Sequence, residues 1–470
     1  MKVQGLLMVC GLAAAVVSPA FAAEPVSRDE VRAIVSEMMA DAESRSTLQG
    51  GGTAGYDKGF FLASSDNKFR LNVSGYTQFR YTANYQDKNN TAAGSDGFSH
   101  GFGVRRGVIA FTGNAGSEDI NYKVRINSNN GADVILEDAW ASFGMGGGWK
   151  LRAGQYRSAF FKEANNADQF SMATERSIVH SAFGQSYGQG LGLVFNSDQF
   201  DFMVDFSDGI GAGNTNRSFL GDRTGTTTFN TDLNPGGVQT FGAVTTSAAA
   251  DYSVVARGEF TFAGDKKNLQ DYTSKQDEKF AGNVGFSGLF EGSANNGNAT
   301  LGTNNDVSSQ LMGATIDAQV EGNGFGAFVA VVGTSRNFSS ADAAFASAKT
   351  LTDFGLVAQA NYRFLPNSEF FGRYEMLMLD KDHGGAAGAA TKKYQFVTAG
   401  FTQYIVGNTT KFTVDAVTGL NRTASDANQT RLDGVGNIIG GTGLGANTLG
   451  LTGTNRGIEV ALRAQLQVSF

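Results

Sequence analysis

Basic side chains alternate with apolar ones in several early segments of this 470-residue chain. In one of them, Lys123 and Arg125 flank the apolar Val124. Successive side chains of a β-strand point to opposite faces, so such a segment has one cationic face and one apolar face. A cationic face turned toward water attracts anions and influences which ions pass along it. We expect this role for Arg70, Arg80, Lys123, Arg125, Lys150 and Arg152.

Acidic side chains share the same expected face in later segments. Asp415 lies four positions after Lys411, and Glu459 lies four positions before Arg463. Opposite charges along one water-filled passage create a transverse field that orients water and ions without excluding either sign. Anion preference and a mixed lining therefore both remain open at the level of the sequence.

Residue types that enzymes use are scarce. The three histidines are His100, His180 and His383, and they lie far apart in the sequence. The single cysteine is Cys10, and the sequence contains no recognisable metal-binding, phosphate-binding or nucleophile motif. We therefore expect no enzymatic activity, no cofactor and no metal site.

The beginning of the chain predicts export. An apolar run follows Lys2, and Ala20-Phe21-Ala22 has the small-x-small pattern of a signal-peptidase site. Residues 1–22 are therefore predicted to be a signal peptide. Removing them leaves 36 basic and 44 acidic residues, a formal charge of −8. An acidic exported protein is a poor candidate for binding nucleic acid.

Residues 23–55 form a predicted periplasmic segment with a short helix and a linker. Ser27 and Glu30 have the spacing of a capping box, and apolar residues then follow at helical spacing to Ala42. Such a stripe pairs with copies of itself or lies against another surface, or the segment is a loosely ordered tail. Gly50-Gly51-Gly52 predicts a linker.

Residues 56–470 carry the strand pattern, which is clearest in the last segment. From Ile458 to Phe470, apolar and polar side chains alternate without interruption, which is long enough to cross a bilayer at a tilt. Alternation of this kind predicts about sixteen strands. They cover 68–85, 102–113, 119–128, 134–144, 149–156, 188–196, 199–208, 251–263, 279–290, 307–320, 325–334, 353–364, 369–379, 392–405, 409–420 and 456–470.

Connections between these strands alternate between short and long. Turn-sized links such as 196–198 and 406–408 contrast with long ones such as 209–250 and 421–455. Short turns at one end and long loops at the other are typical of an outer-membrane barrel. The sequence thus predicts an all-β fold, a transmembrane antiparallel up-and-down β-barrel. Its apolar face meets outer-membrane lipid, both termini are periplasmic, and the long loops are extracellular.

One long loop, at 157–187, follows the fifth predicted strand and is rich in charge. A loop of this length either folds into the lumen and narrows it or covers the outside of the barrel. We expect the first arrangement, in which basic wall residues face charges of the loop. The charged residues concerned are Arg157, Lys162, Glu163, Asp168, Glu175 and Arg176.

Several stretches together resemble the phosphate-selective porin O/P family: Gly55–Phe60, Phe69–Val73, Gln78–Tyr81, Val104–Arg106, Leu151–Tyr156 and Thr174–Ser177. The resemblance is specific over 55–195 and architectural beyond it. It implies a homotrimer of sixteen-strand channels with an inward-folded third loop. It also implies an anion-attracting role for Arg70, Arg80, Lys123, Arg125 and Arg152. The terminal Phe470 fits the signal by which barrel-assembly machinery recognises such proteins.

Two functions follow from these patterns. The first is an outer-membrane porin, a water-filled channel for passive diffusion of small hydrophilic solutes that favours anions such as phosphate. The second is a surface adhesion or ligand-binding barrel, which the long Gly-, Thr- and Asn-rich loops at 209–250 and 421–455 suggest.

Overall fold

The computed structural model describes residues 33, 36, 37, 53–57, 59–86, 97–129, 133–184, 187–208, 252–297, 306–338, 350–380, 393–421, 451 and 458–470. The chain divides into two units, Met1–Gly52 and Thr53–Phe470. In the first unit, Ala33, Ser36 and Glu37 are helical and exposed. The signal peptide and the rest of the segment predicted to be helical lie outside the described residues, so both stay predictions.

Alternating side chains build a continuous sheet in the second unit. Two short strands, β1 (Thr53–Tyr56) and β2 (Phe60–Ala63), precede sixteen long ones. The long strands are β3 (Phe69–Gln86), β4 (Phe98–Ala115), β5 (Ile120–Asn129), β6 (Asp133–Gly146), β7 (Trp149–Arg157), β8 (Tyr187–Asn196), β9 (Phe200–Ser207), β10 (Tyr252–Ala263), β11 (Ala281–Gly297), β12 (Asp306–Gly322), β13 (Phe325–Phe338), β14 (Thr350–Leu365), β15 (Ser368–Met378), β16 (Lys393–Val406), β17 (Thr410–Gly419) and β18 (Glu459–Ser469).

The sixteen long strands close into an antiparallel barrel. Each pairs with the next along the chain, and β18 returns to pair with β3 from Glu459↔Gln86 to Ser469↔Tyr76. Closure leaves no free edge along this seam, which satisfies the backbone hydrogen bonds that a lipid environment would leave unmet. The predicted sixteen-strand barrel is confirmed, and each predicted strand corresponds to one of β3–β18.

The alternation pattern did not predict β1 and β2. The strand β2 pairs with β3 from Phe60↔Val73 to Ala63↔Arg70, beyond the point where β18 ends. The strand β1 pairs with β2 and begins at Thr53, inside the segment predicted to be a linker. Strands of four residues contain too few alternations to stand out from a Gly-rich stretch.

Side chains in the barrel wall alternate as the period-two pattern predicts. Along β14, Phe354 and Tyr362 are exposed on the outside, whereas Asp353, Gln359 and Arg363 are buried on the inside. Placing an arginine on a lipid-facing surface at mid-depth would cost about 2–4 kcal/mol, so charged residues stay on the inner face. Among the described residues, no helix is both long enough and apolar enough to cross a membrane.

Two connections fold into the lumen from opposite ends of the barrel. We call residues 158–184, between β7 and β8, the inner loop; it contains α1 (Lys162–Asn165), a 3-10 helix (Asp168–Phe170) and α2 (Ile178–Phe183). We call residues 264–280, between β10 and β11, the strap; it begins with a 3-10 helix (Lys266–Leu269). The inner loop enters from the long-loop end, and the strap enters from the end where the other described links are short turns.

Candidate functional site

The inner loop crosses the lumen and contacts opposite sides of the wall. From β3, Arg80 donates a hydrogen bond of 2.8 Å to the carbonyl oxygen of Thr174. From β15, Arg373 donates one of 2.8 Å to the carbonyl oxygen of Glu175. These two strands lie on different parts of the barrel, so a segment that bonds to both must span the interior. The structure thus places this loop inside the barrel.

Glu175 of the inner loop pairs with three arginines of the wall. Its carboxylate lies 2.7 Å from an Arg80 nitrogen and 2.7 Å from an Arg106 nitrogen, and it also accepts a hydrogen bond from Arg105. All four side chains are almost completely buried. Burial alone would raise the pKa of the Glu175 carboxyl, but the guanidinium groups of Arg105, Arg106 and Arg80 hold its pKa well below its usual range.

Arg105 and Arg106 both face the lumen although they are consecutive. The pairing of β3 with β4 shifts register between Gln78 and Phe79, next to these arginines. An irregularity of this kind places an additional residue on one strand, which lets neighbouring side chains point to the same side. Before the structure, both residues stood out only as part of Val104–Arg106, one of the stretches that resemble the porin O/P family. An Arg-Arg pair that interrupts strict alternation was the available signal for a bulge.

Asp168 forms a second ionic anchor of the inner loop. Its carboxylate lies 2.5 Å from a nitrogen of Arg176 in the same loop and 3.4 Å from a nitrogen of Arg125 on β5. Burial would raise the pKa of this carboxyl, but Arg176, Arg106 and further guanidinium groups hold its pKa well below its usual range. Arg125 and Asp168 therefore bind each other across the space between wall and loop.

Lys162 and Glu163 link α1 to its surroundings in different ways. The Lys162 ammonium lies 2.5 Å from the Glu259 carboxylate on β10. Glu163 instead accepts hydrogen bonds from the hydroxyl and the backbone nitrogen of Ser177, which caps the start of α2. The first contact ties the loop to the wall, and the second ties its two helices together.

Apolar side chains of the inner loop fit into sites where the wall carries glycine. A Cβ atom added to Gly313 on β12 would lie 2.7 Å from the ring of Phe160. One added to Gly355 on β14 would lie 2.7 Å from Phe183 and from Val179. Real Cβ atoms do not approach other atoms so closely, so any larger residue would displace the loop. These sockets pair residues far apart in sequence, and no local pattern indicates them.

Beside the inner loop, a cavity of about 330 Å³ lies against strands β3–β5 and the turn between β16 and β17. A second one, which we call the cavity, has a volume of about 510 Å³ and lies between that loop, the strap and strands β5–β11. Its charged lining comprises eight basic residues and three acidic ones, an excess of five positive charges. The basic residues are Lys123, Arg125, Arg152, Arg157, Lys162, Arg176, Arg257 and Lys266, and the acidic residues are Asp138, Asp201 and Glu259.

Several of these cations are partly neutralised by neighbouring carboxylates. Lys123 lies 2.9 Å from Asp138, and Arg125 lies 2.9 Å from Glu137. The Lys123 side chain retains 29% of its exposure, whereas that of Arg125 retains 8%. Lys123 is thus the more accessible of the two cations for a solute in the cavity.

Two further arginines of the cavity lie on aromatic rings. The Arg152 guanidinium is 3.6 Å from the centre of the Tyr156 ring, and its nearest carboxylate, Asp205, is 3.5 Å away. The Arg157 guanidinium is 4.6 Å from the centre of the Tyr187 ring, and no described carboxylate lies within ion-pair distance of it. Stacking fixes the guanidinium plane without removing its charge, so both groups can still attract an anion.

The predicted site residues therefore fall into three groups. Arg80, Glu163, Asp168 and Glu175 hold the inner loop in place and do not line the cavity. Arg70 lies away from the cavity, 4.2 Å from the Phe61 ring and 3.5 Å from Asp57, and Lys150 is exposed and does not line the cavity. The structure brings the following predicted residues together around the cavity: Lys123, Arg125, Arg152, Arg157, Lys162 and Arg176. Lys266 joins them from the strap, which no sequence pattern singled out.

Comparison with known proteins identifies the fold and no family. No protein-family model matches the sequence, and no curated protein sequence matches it. An anion-selective porin from Comamonas acidovorans has a TM-score of 0.51 and 11% identity, covering 85% of this chain and 99% of that chain. The outer membrane channel DcaP of Acinetobacter baumannii has a TM-score of 0.49 and 12% identity, covering 89% of this chain and 100% of that chain. At 11% identity, the likeness to the first of these structures shows a porin-type barrel fold and nothing finer.

Proposed function

We propose that this chain is an outer-membrane porin for the passive diffusion of small hydrophilic solutes, with a preference for anions such as phosphate. Its barrel presents an apolar outer face to lipid, with periplasmic termini, extracellular long loops and no enzymatic activity. The inner loop forms the constriction. The observation that carries the proposal is the cavity beside this loop, where basic residues outnumber acidic ones by eight to three.

Electrostatics explains the expected preference and its limited strength. An excess of positive charge in a narrow, low-dielectric passage concentrates anions and repels cations. Carboxylates outside the lining oppose this effect, because they pair with arginines that line the cavity. Glu137 and Asp168 pair with Arg125, Asp205 pairs with Arg152, and Asp317 pairs with Arg257. We therefore expect a channel that prefers anions without excluding cations.

Reversal potentials across a planar bilayer in a KCl gradient test the proposal. The double variant Lys123→Glu with Arg152→Glu changes the charge of the cavity by four units, which lowers its excess from five to one. We expect the anion preference of the native channel to decrease strongly. The matched control is Lys68→Glu with Lys279→Glu, because these exposed lysines do not line the cavity.

A native channel that prefers cations would overturn the anion assignment. Equal reversal potentials in the native protein and the cavity variant would also overturn the anion assignment, but they would not contradict the porin function. Addition of phosphate during single-channel recording separates a binding site from a simple passage, because only a site produces block that saturates with concentration.

This proposal includes two further properties, because the sequence resemblance implies them. They are assembly into a homotrimer and recognition of the terminal Phe470 by barrel-assembly machinery. The alternative, a surface adhesion or ligand-binding barrel, depends on loops at 209–250 and 421–455 that lie almost wholly outside the described residues. A correctly folded protein that never conducts would favour that alternative.

A further inference from the structure

The strap is fixed to the inside of the wall by polar contacts with three separate places. Gln319 on β12 donates a hydrogen bond to the carbonyl oxygen of Asp271 in the strap. Asn408, in the turn between β16 and β17, donates one of 3.0 Å to the Asp271 carboxylate. On β14, Arg363 donates one of 3.4 Å to the Thr273 hydroxyl. The strap is therefore held inside the mouth of the barrel.

Apolar packing also anchors the strap. The ring of Tyr272 lies 5.1 Å from that of Phe328 on β13, and Tyr272 retains only 5% of its exposure. Two residues before Phe328 on the same strand, a Cβ atom added to Gly326 would lie close to the side-chain oxygen of Asn361 on β14 and 2.7 Å from the carbonyl oxygen of Tyr272. The wall is thus shaped to receive the strap, as Gly313 and Gly355 are shaped to receive the inner loop.

The other part of the strap faces the cavity. Lys266, Leu269 and Gln270 all contribute to its lining. The Lys266 ammonium lies 2.8 Å from the Asp201 carboxylate on β9 and donates a hydrogen bond to the carbonyl oxygen of Ser197. The strap therefore reaches from β12–β14 to the turn between β8 and β9, and it bounds the cavity on the short-turn side.

We propose that the strap is a second wall of the constriction, and that Lys266 is a selectivity residue on it. This inference rests on the proposed channel function. Solutes that pass the inner loop through the cavity then pass between the strap and strands β5–β9. The strap and the inner loop together cover the inner face of strands β12–β15, where inward residues such as Gln319, Glu321 and Glu369 are buried. Displacing the strap opens a region that the inner loop does not control.

Single-channel conductance tests the role of the strap. In Gly326→Leu, the new side chain takes space now filled by the Asn361 side chain and by the Tyr272 backbone. The Asn361 side chain can rotate away but the Tyr272 backbone can yield only if the strap moves, so the strap should leave the lumen and conductance should rise. Gly288→Leu is the matched control, because Gly288 lies in β11 and no atom lies within 4 Å of a Cβ added there. A second variant replaces residues 266–279 by Asn-Gly, which closes β10 and β11 with a tight turn. This deletion variant tests the role of the strap if Gly326→Leu fails to fold into a barrel, as judged by the change in gel mobility on heating.

Selectivity tests the role of Lys266. Lys266→Glu should shift the reversal potential in a KCl gradient toward that of a cation-preferring channel. The adjacent Lys267 is exposed and does not line the cavity, so Lys267→Glu makes the same change of charge without the shift.

The outcomes separate the two proposals. The inference is supported if the strap variants have higher conductance and if the reversal potential shifts for Lys266→Glu and not for Lys267→Glu. A native channel that conducts, but whose conductance is the same without the strap, overturns the inference and leaves the porin intact. A native protein that folds and never conducts overturns both.

Discussion

Glu175→Gln removes the charge on which three arginines of the wall converge. The native cluster of Arg80, Arg105, Arg106 and Glu175 carries a net charge of +2, and the variant cluster carries +3. The glutamine has nearly the same shape, so the change isolates the electrostatic contribution of this anchor. All four side chains are buried, and solvent therefore does little to screen the arginines left behind.

Removing one partner of a buried ion pair typically costs about 3–5 kcal/mol. The barrel need not unfold to relieve this cost, because the inner loop can leave the lumen and let water hydrate the arginines. A cost of this size shifts the balance between the docked and the released loop by roughly two to four orders of magnitude. We therefore expect a folded barrel with a wider passage and a more strongly cationic lumen.

Two assays report on the released loop. Single-channel recordings should show higher conductance for Glu175→Gln and a reversal potential that moves further in the anion-preferring direction. Trypsin should cleave the variant after Lys162 or Arg176, which are protected in the native lumen. Glu118→Gln removes an equal charge from an exposed turn and should behave as the native protein does. Equal conductance and equal resistance to trypsin in Glu175→Gln and Glu118→Gln would refute the anchoring role of Glu175.

Two further predictions concern the same loop. Gly355→Leu should displace Val179 and Phe183 from the wall and raise conductance. Gly372→Leu on β15 is the control, because the nearest atom to a Cβ added there is 4.0 Å away, and its conductance should not rise. Equal conductance of the two variants would contradict the role of Gly355 in receiving the loop. Because the folded-state pKa values of Asp168 and Glu175 are depressed, the stability that they give the docked loop is fully present above the ordinary carboxyl pKa of about 4. That stability is lost only as the pH falls through the depressed values, so conductance should stay constant from neutral pH to about pH 4, and an increase already at pH 6 would contradict this assignment.

The strands were predictable because their pattern is local. Along β14, the position of Phe354 relative to Asp353 is fixed by the two-residue repeat of a strand, whatever the rest of the chain does. The same repeat placed Lys123 and Arg125 on the inner face of β5. It failed at Arg105 and Arg106, because a register shift between two paired strands depends on the partner strand as well.

The contacts of the inner loop were not predictable in this way. Its charge pointed to ionic contacts with a basic wall, but the sequence contains no information on which carboxylate meets which arginine. Glu175 meets Arg80 across 95 positions of the chain, and Gly355 receives Phe183 from a different part of the barrel. The strap was missed for a related reason: its anchors, such as Tyr272, resemble ordinary residues of a polar connection until their partners are known.

The sequence by itself determined the barrel, its sixteen long strands and most of the side chains that face inward, because each depends on a two-residue period and on the length of a strand. The tertiary structure alone decided where the open space lies and which charges line it. Closure of the barrel brings distant residues to one point in the lumen, where Arg80 and Arg125 bind acids of the inner loop while Lys123, Arg152 and Lys266 line the cavity. An inward-facing cation attracts a solute only to the extent that neighbouring carboxylates leave its charge uncompensated, and those neighbours are set by the folded barrel.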